Sequence, residues 1–274
     1  MLKYKIDILS IGWVFAAFSS MCYATINFAS FGLPESVFFL LLNSYLSFMS
    51  GVVNHNHGHN SLFKNKRINR ITDFFLSLLM GASSRQIIFT HILNHHKHSS
   101  TPKDWTYPGQ VKSTTPILIL VENIYRSTTN IYRNRESALA DHPQIRKKVS
   151  HERRFLQVFS ICALLSFPIQ FLLFWVIPWA LGLMGMLTVN FIQHFKTTPG
   201  QKAVDFMSPL ENFVFLNNGL HSPHHTNMTT HWSHLRKMHD PTVAKMEGSL
   251  VVYLLLFLTG LEKKSTRLRS AWSR

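Results

Sequence analysis

Two long apolar stretches, free of basic residues, alternate with polar basic segments along this chain. Residues 7–54 contain no Lys or Arg, and neither do residues 155–195. A membrane-crossing helix needs about 20 predominantly apolar residues, so each stretch has room for two crossings. The pattern predicts spans at about residues 8–28, 37–54, 155–177 and 180–195. Gly32-Leu33-Pro34-Glu35 makes the turn in the first stretch, and Pro178 is expected to break the second. Both turns lack basic residues and are expected to face away from the cytoplasm. The N-terminus, residues 55–154 and the segment from Lys196 carry every Lys and Arg and are expected to be cytoplasmic. The predicted fold is therefore an all-α integral membrane protein. It has four transmembrane helices in two hairpins with a cytoplasmic helical cap, forming a single domain over residues 1–274.

Shorter apolar segments at residues 68–89 and 116–121 lie within the basic loops and read as interfacial helices packed beneath the spans. Residues 249–261 are apolar but short for a span, and read as interfacial or re-entrant. Lys3 and Lys5 before an apolar run resemble a signal peptide. An uncleaved first helix is favoured because the charge asymmetry then holds for the whole chain. Cys22 and Cys162 both fall in apolar spans, as small buried hydrophobes rather than a disulfide.

Composition adds little until charge is considered. The chain is 46% hydrophobic and 15% charged, with a net charge of +15. Basic loops of this kind set topology and attract anionic membrane lipids. The apolar spans argue against a nucleic-acid partner.

The chemistry lies in histidine. Three boxes stand at the predicted cytoplasmic ends: His55-Asn56-His57-Gly58-His59, His91-Ile92-Leu93-Asn94-His95-His96 and His221-Ser222-Pro223-His224-His225. His194 ends the last apolar stretch. Spacings of three and four place His55 with His59, His91 with His95, and His221 with His224 and His225 on shared helix faces. His57 points elsewhere, and His98 is an alternative to a box-two ligand. One pair of histidines at a helix end is more often a solvated feature than a metal site, and the helix dipole alone favours His194 at a C-terminus. Three regular boxes on one predicted membrane face make coincidence a poor account. Imidazole suits iron, copper, nickel and zinc. Nine imidazoles (His55, His59, His91, His95, His96, His194, His221, His224 and His225) are too many for one ion and about right for two. Asn190, one turn before His194, is costly at membrane depth unless it faces a site, where it reaches a metal through water or orients a ligand. His231, His234 and His239 read as interfacial, supporting or solvated residues, and His142 and His151 as surface residues. A membrane metal transporter would place its ligands near the midplane; here they cluster at the span ends.

These residues resemble the integral-membrane fatty acid desaturases, whose superfamily also contains hydroxylases, acetylenases and ketolases. His55 and His59 match the H-x(3,4)-H box. His91, His95 and His96 match H-x(2,3)-H-H, with three intervening residues rather than the commoner two, and His221, His224 and His225 match H-x-x-H-H. The step from Asn190 to His194 resembles the asparagine and histidine of the fourth helix in such enzymes. The run from Asn217 to His221 and on through His231-Trp232-Ser233 looks similar to bacterial members, which implies a bacterial inner membrane. The resemblance implies a di-iron centre, O2 as co-substrate and desaturation of a fatty acyl chain, with hydroxylation as the alternative. It also implies an acyl substrate carried on lipid, CoA or acyl-carrier protein. Electrons are expected from a separate donor such as ferredoxin, rubredoxin or cytochrome b5.

Overall fold

The computed structural model describes residues 1–195, 197, 202–240, 245–246 and 248–261. The basic positions after residue 261, which contribute to the expected charge asymmetry, lie outside the described residues, as does Lys196. The helices are α1 (Ile8–Asn27), α2 (Leu33–His59), α3 (Lys66–Met80), α4 (Ser84–Thr90), α5 (Pro116–Ala140), α6 (Pro143–Ser166), α7 (Pro168–Phe171), α8 (Ile177–His194), α9 (Pro209–Val214), α10 (His221–Thr226) and α11 (Leu250–Leu258). A two-residue parallel pairing of Asp205–Phe206 with Lys245–Met246 is the only sheet among the described residues. The chain divides into two compact units. One comprises Met1–Phe89 and Arg135–Met186, the other Thr90–Asn134 and Leu187–Arg274.

In the first unit, Ala17, Met21 and Ala24 of α1 are buried with Leu46 of α2, Leu78 and Leu79 of α3, and Phe171, Phe174 and Trp175. Small residues let apolar helices approach closely where lipid removes any hydrophobic drive for association. Gly182 of α8 shows this, because a Cβ there would stand 2.8 Å from the backbone nitrogen of Phe48 in α2. The α3 helix starts at Asn65, whose side chain accepts the amides of Arg67 and Ile68 at 2.7 and 3.3 Å. It stops at Gly81, which adopts φ +64°, a left-handed conformation that glycine takes without strain. Polar residues on its inner face join an ionic network. Glu152 of α6 is buried and accepts from Arg70, from Ser83 Oγ at 2.6 Å and from the Arg85 amide at 3.0 Å. Asp73 accepts from Arg85 Nε at 2.7 Å.

The apolar runs do not end where the sequence pattern places them. Three helical runs among the described residues are long and apolar enough to cross a membrane: Lys5–Ser30, Leu33–His59 and Pro168–His194. The expected turn at Pro178 is absent, and the break falls at Pro168. Phe167, just before that proline, has φ −144° and ψ 61° and leaves the helix. Clash with a following proline ring pushes a residue out of the α region. Pro178 lies inside a helical run of 27 residues. A π-helical turn over Leu172–Val176 leads directly into α8. Local π adjustment re-satisfies the backbone groups that a proline frees in a membrane helix. The expected span at residues 155–177 is thus replaced by the apolar end of α6, a bend, and the start of the next run. The cysteines are both free, but only Cys22 is partly buried; Cys162 is exposed on α6, where an apolar environment accepts a thiol without a polar partner.

In the second unit, Phe191 and Ile192 of α8 are buried with Leu120, Val204, Phe206, Leu250, Tyr253 and Phe257. The apolar segment at residues 249–261 forms α11, nine residues long and too short to cross. Its Leu250, Tyr253 and Phe257 face this core, and Val251, Val252 and Leu255 are exposed. Glu211 of α9 caps its start, accepting the amides of Leu250 and Val251 at 2.6 and 3.2 Å.

Candidate metal centre

The second box departs from an α-helix. His91–His96 forms a π-helical turn that follows α4 without a break. A π turn accommodates an extra residue by bonding i to i+5, and box two carries one more intervening residue than the commoner spacing. The consequence is a change of partners. His91 and His96, five apart, bring their Nε2 atoms to 3.0 Å. His96 Nε2 also lies 3.0 Å from Nε2 of His224 in α10. These three imidazoles form one cluster in the second unit. His95, expected on one face with His91, sends its Nε2 to a different cluster.

That other cluster consists of His95, His194, His221 and His225, with one nitrogen of each lying within 4.8 Å of all the others. His95 Nε2 is 3.2 Å from His225 Nε2, His225 Nε2 is 3.1 Å from His221 Nε2, and His221 Nε2 is 3.1 Å from His194 Nε2. All four rings are at most 5% exposed. The set fits a metal ion. A His95 that donates from Nδ1 to Asp104 Oδ2, 2.8 Å away, presents a bare lone pair at Nε2. A protonated nitrogen in the middle of the row serves only one neighbour, so protons cannot satisfy every contact. A metal ion receives all four lone pairs together; bonds of about 2.0–2.1 Å to imidazole leave adjacent nitrogens about 3 Å apart. Burial, reinforced by His221, His194, His95 and His96, lowers the His225 pKa well below the ordinary imidazole range. His225 is therefore neutral, the form that binds metal.

Supporting contacts account for the local geometry. Burial alone pushes the Asp104 carboxyl up, but His95 and the bonds from Thr106 more than reverse this and lower its pKa. Box three stands on α10, whose Ser222 amide donates to Asp205 Oδ1 at 2.6 Å, while Asp205 Oδ2 pairs with His239 Nδ1 at 2.7 Å. Of the readings open for His239, this contact favours a supporting one. Buried His231 pairs with Ser233 Oγ at 2.8 Å. Sequence reasoning missed Asp104 and Asp205. Metal-binding imidazoles almost always donate their second nitrogen to a carboxylate or carbonyl, so the scarce acids downstream of the boxes were the available signal.

In the first unit, α2 continues past the expected end at residue 54 and carries His55 and His59, ring centroids 5.1 Å apart. His57 turns away from them, as expected. Its Nδ1 accepts the Leu62 amide at 3.1 Å, and its Nε2 is 3.3 Å from Asp73. His142 and His151 are exposed. The Nδ2 of Asn190 is buried without a hydrogen-bond partner among the described residues. His98 is half-buried and belongs to neither cluster. Beside His194 lies a cavity of about 310 Å³, lined in part by Tyr107, Pro108, Val111, Ile119 and Phe195.

Apolar helices of membrane-crossing length together with buried imidazole clusters define a helical membrane protein able to hold metal. The family model for fatty acid desaturase matches residues 34–256, and the chain belongs to that family. It is accordingly an oxidoreductase acting on fatty acids. A comparison with curated proteins finds no match.

Proposed function

We propose that the protein desaturates a fatty acyl chain within the membrane, using O2 and electrons from a separate donor. The observation that carries this reading is the convergence of His95, His194, His221 and His225 on one buried point in a chain of the desaturase family. His91, His96 and His224, with His55 and His59 of box one, complete the ligand set, so that nine histidines hold two iron ions. Bound iron supplies the O2-derived oxidant that removes hydrogen from an unactivated C–H bond. The residues of the chain do the rest. The imidazoles fix the ligand geometry, and Asn190 holds water or orients a ligand. The half-open, largely apolar cavity beside His194 takes part of the acyl chain.

The topology of this reading has four crossings. α1 and α2 form one hairpin. α6 carries the chain across to Pro168, and the run Pro168–His194 returns it. Basic segments then face the cytoplasm, with the metal centre on that side of a bacterial inner membrane. A ferredoxin, rubredoxin or cytochrome b5 type of donor docks there, and the acyl group arrives on lipid, CoA or acyl-carrier protein.

Two measurements test the reading. Iron analysis after anaerobic reconstitution should give two irons per chain; one zinc and no iron would refute the dinuclear site. Mass spectrometry of lipids and acyl products, with and without the gene, should show products lighter by two hydrogens. Products heavier by one oxygen would assign hydroxylation instead.

A further inference from the structure

The four-imidazole cluster is not symmetric. His95 contacts Asp104 Oδ2 through Nδ1 at 2.8 Å, and both residues are 3% exposed. The other oxygen of that carboxylate is also committed. Asp104 Oδ1 accepts the Thr106 amide at 2.8 Å and the Thr106 hydroxyl at 2.9 Å. Thr106 Oγ1 itself lies 3.1 Å from His95 Nδ1. The loop bearing Asp104 is tied to the π turn by the residue adjacent to His95: Asn94 Nδ2 donates to the Lys103 carbonyl at 3.0 Å, and Asn94 Oδ1 accepts the Trp105 amide at 2.7 Å. Ligand and carboxylate are therefore held by one rigid segment, with the carboxylate's orientation fixed from both oxygens.

We propose that Asp104 is a positioning residue that fixes His95 as a ligand and strengthens iron binding at the four-imidazole site; the inference rests on the dinuclear reading above. Neutral imidazoles bring no charge to balance a divalent ion. A buried carboxylate behind one of them brings a full negative charge where water screens it poorly. It also fixes the ring tautomer and raises the basicity of the coordinating nitrogen, effects that in other metal sites change affinity about 10–100-fold. Thr106 acts through Asp104 by preventing the carboxylate from rotating off the ring.

The experiment uses the full chain in detergent, reconstituted with ⁵⁷Fe. Release to a ferrous chelator and the Mössbauer spectrum are both recorded. The wild type should bind two irons and show a quadrupole doublet for each. Asp104→Asn keeps an oxygen able to accept from His95 but removes the charge. It should accelerate the release of one iron about 10–100-fold, leave that of the other unchanged and shift one quadrupole doublet of the two. Asp104→Glu should restore most of the wild-type release rate. Thr106→Val should move the same iron and the same doublet by less, and it decides the matter if Asp104→Asn fails to fold. Equal acceleration for both irons, or no change in either, overturns the inference while leaving two irons per wild-type chain intact. A wild type that binds fewer than two irons overturns the dinuclear reading and this inference with it.

Discussion

Gly58 separates His57 from His59 in box one, and its replacement by alanine sets two opposing effects against each other. Gly58 lies in the last turn of α2, where alanine is favoured over glycine by up to about 1 kcal/mol. At this position, however, a Cβ would stand 2.6, 2.9 and 3.0 Å from Cγ1, Cγ2 and Cδ1 of Ile88. Ile88 is buried in α4, and its β-branched side chain has little rotamer freedom in a helix. Two of these contacts are too short to persist, so α2 and α4 must separate by several tenths of an ångström. Overpacking of this kind costs about 1–3 kcal/mol. The net expectation for Gly58→Ala is a destabilisation of about 0–2 kcal/mol, with a larger effect on iron content because His55 and His59 flank the displaced residue. A double-mutant cycle isolates the clash. Ile88→Ala alone should cost about 2–5 kcal/mol through its cavity. Combined with Gly58→Ala, it should cost about 1–3 kcal/mol less than the sum of the two changes. Denaturant unfolding in detergent gives the energies and elemental analysis gives the iron. Additivity within about 0.5 kcal/mol, or a Gly58→Ala protein more stable than wild type with full iron, would refute the packing argument.

Other expectations follow from the same geometry. His194→Ala should leave a folded protein with depleted iron and no product, because loss of a dipole interaction alone costs only about 0.3–1 kcal/mol; full iron and turnover would remove His194 from the ligand set. His142→Ala, at an exposed loop position, should keep both. Glu152→Ala should lower the unfolding free energy by about 1–3 kcal/mol, since Ser83 and the Arg85 amide lose a buried acceptor while Arg70, a quarter exposed, rehydrates; a loss below about 0.5 kcal/mol would show that water replaces the carboxylate. The bonds from Ser113 and Arg126 hold the Glu122 carboxyl down to about 2. A lowered folded pKa means that the contribution is present above the unfolded value and is lost as pH falls through the folded one. The Ser113 amide should therefore stay protected from hydrogen exchange, after correction for intrinsic rate, from neutral pH to well below 4.5 and open only near 2. In a cysteine-free background, cysteines placed at Leu33 and Ile169 should both react with an impermeant thiol reagent from outside intact cells; labelling at only one of them would refute the four-crossing topology.

Much of this protein is legible along the chain. Hydration decides that the stretches without Lys or Arg enter an apolar environment, and α1, α2 and Pro168–His194 follow the residues that can tolerate it. Histidine identity and spacing also announce a metal site without any fold, because few side chains offer a neutral nitrogen lone pair in such number. His57 could be set aside by helical phase, and the structure gives it another partner in Asp73.

The tertiary structure decided what depends on backbone detail or on distant residues. Both Pro168 and Pro178 lack an amide hydrogen, yet only the first ends a helix, because a π turn re-satisfies the backbone ahead of the second. The same kind of turn in box two sets His95 apart from His91 and His96, a division that a period of 3.6 residues does not contain. Asp104 and Asp205 are marked in the sequence only by the scarcity of acids near the boxes; loops bring them to His95 and to the Ser222 amide. A sequence determines which groups are available and what each costs to bury. Which of them meet, and through which nitrogen, is settled by backbone geometry that closes only when the whole unit has packed.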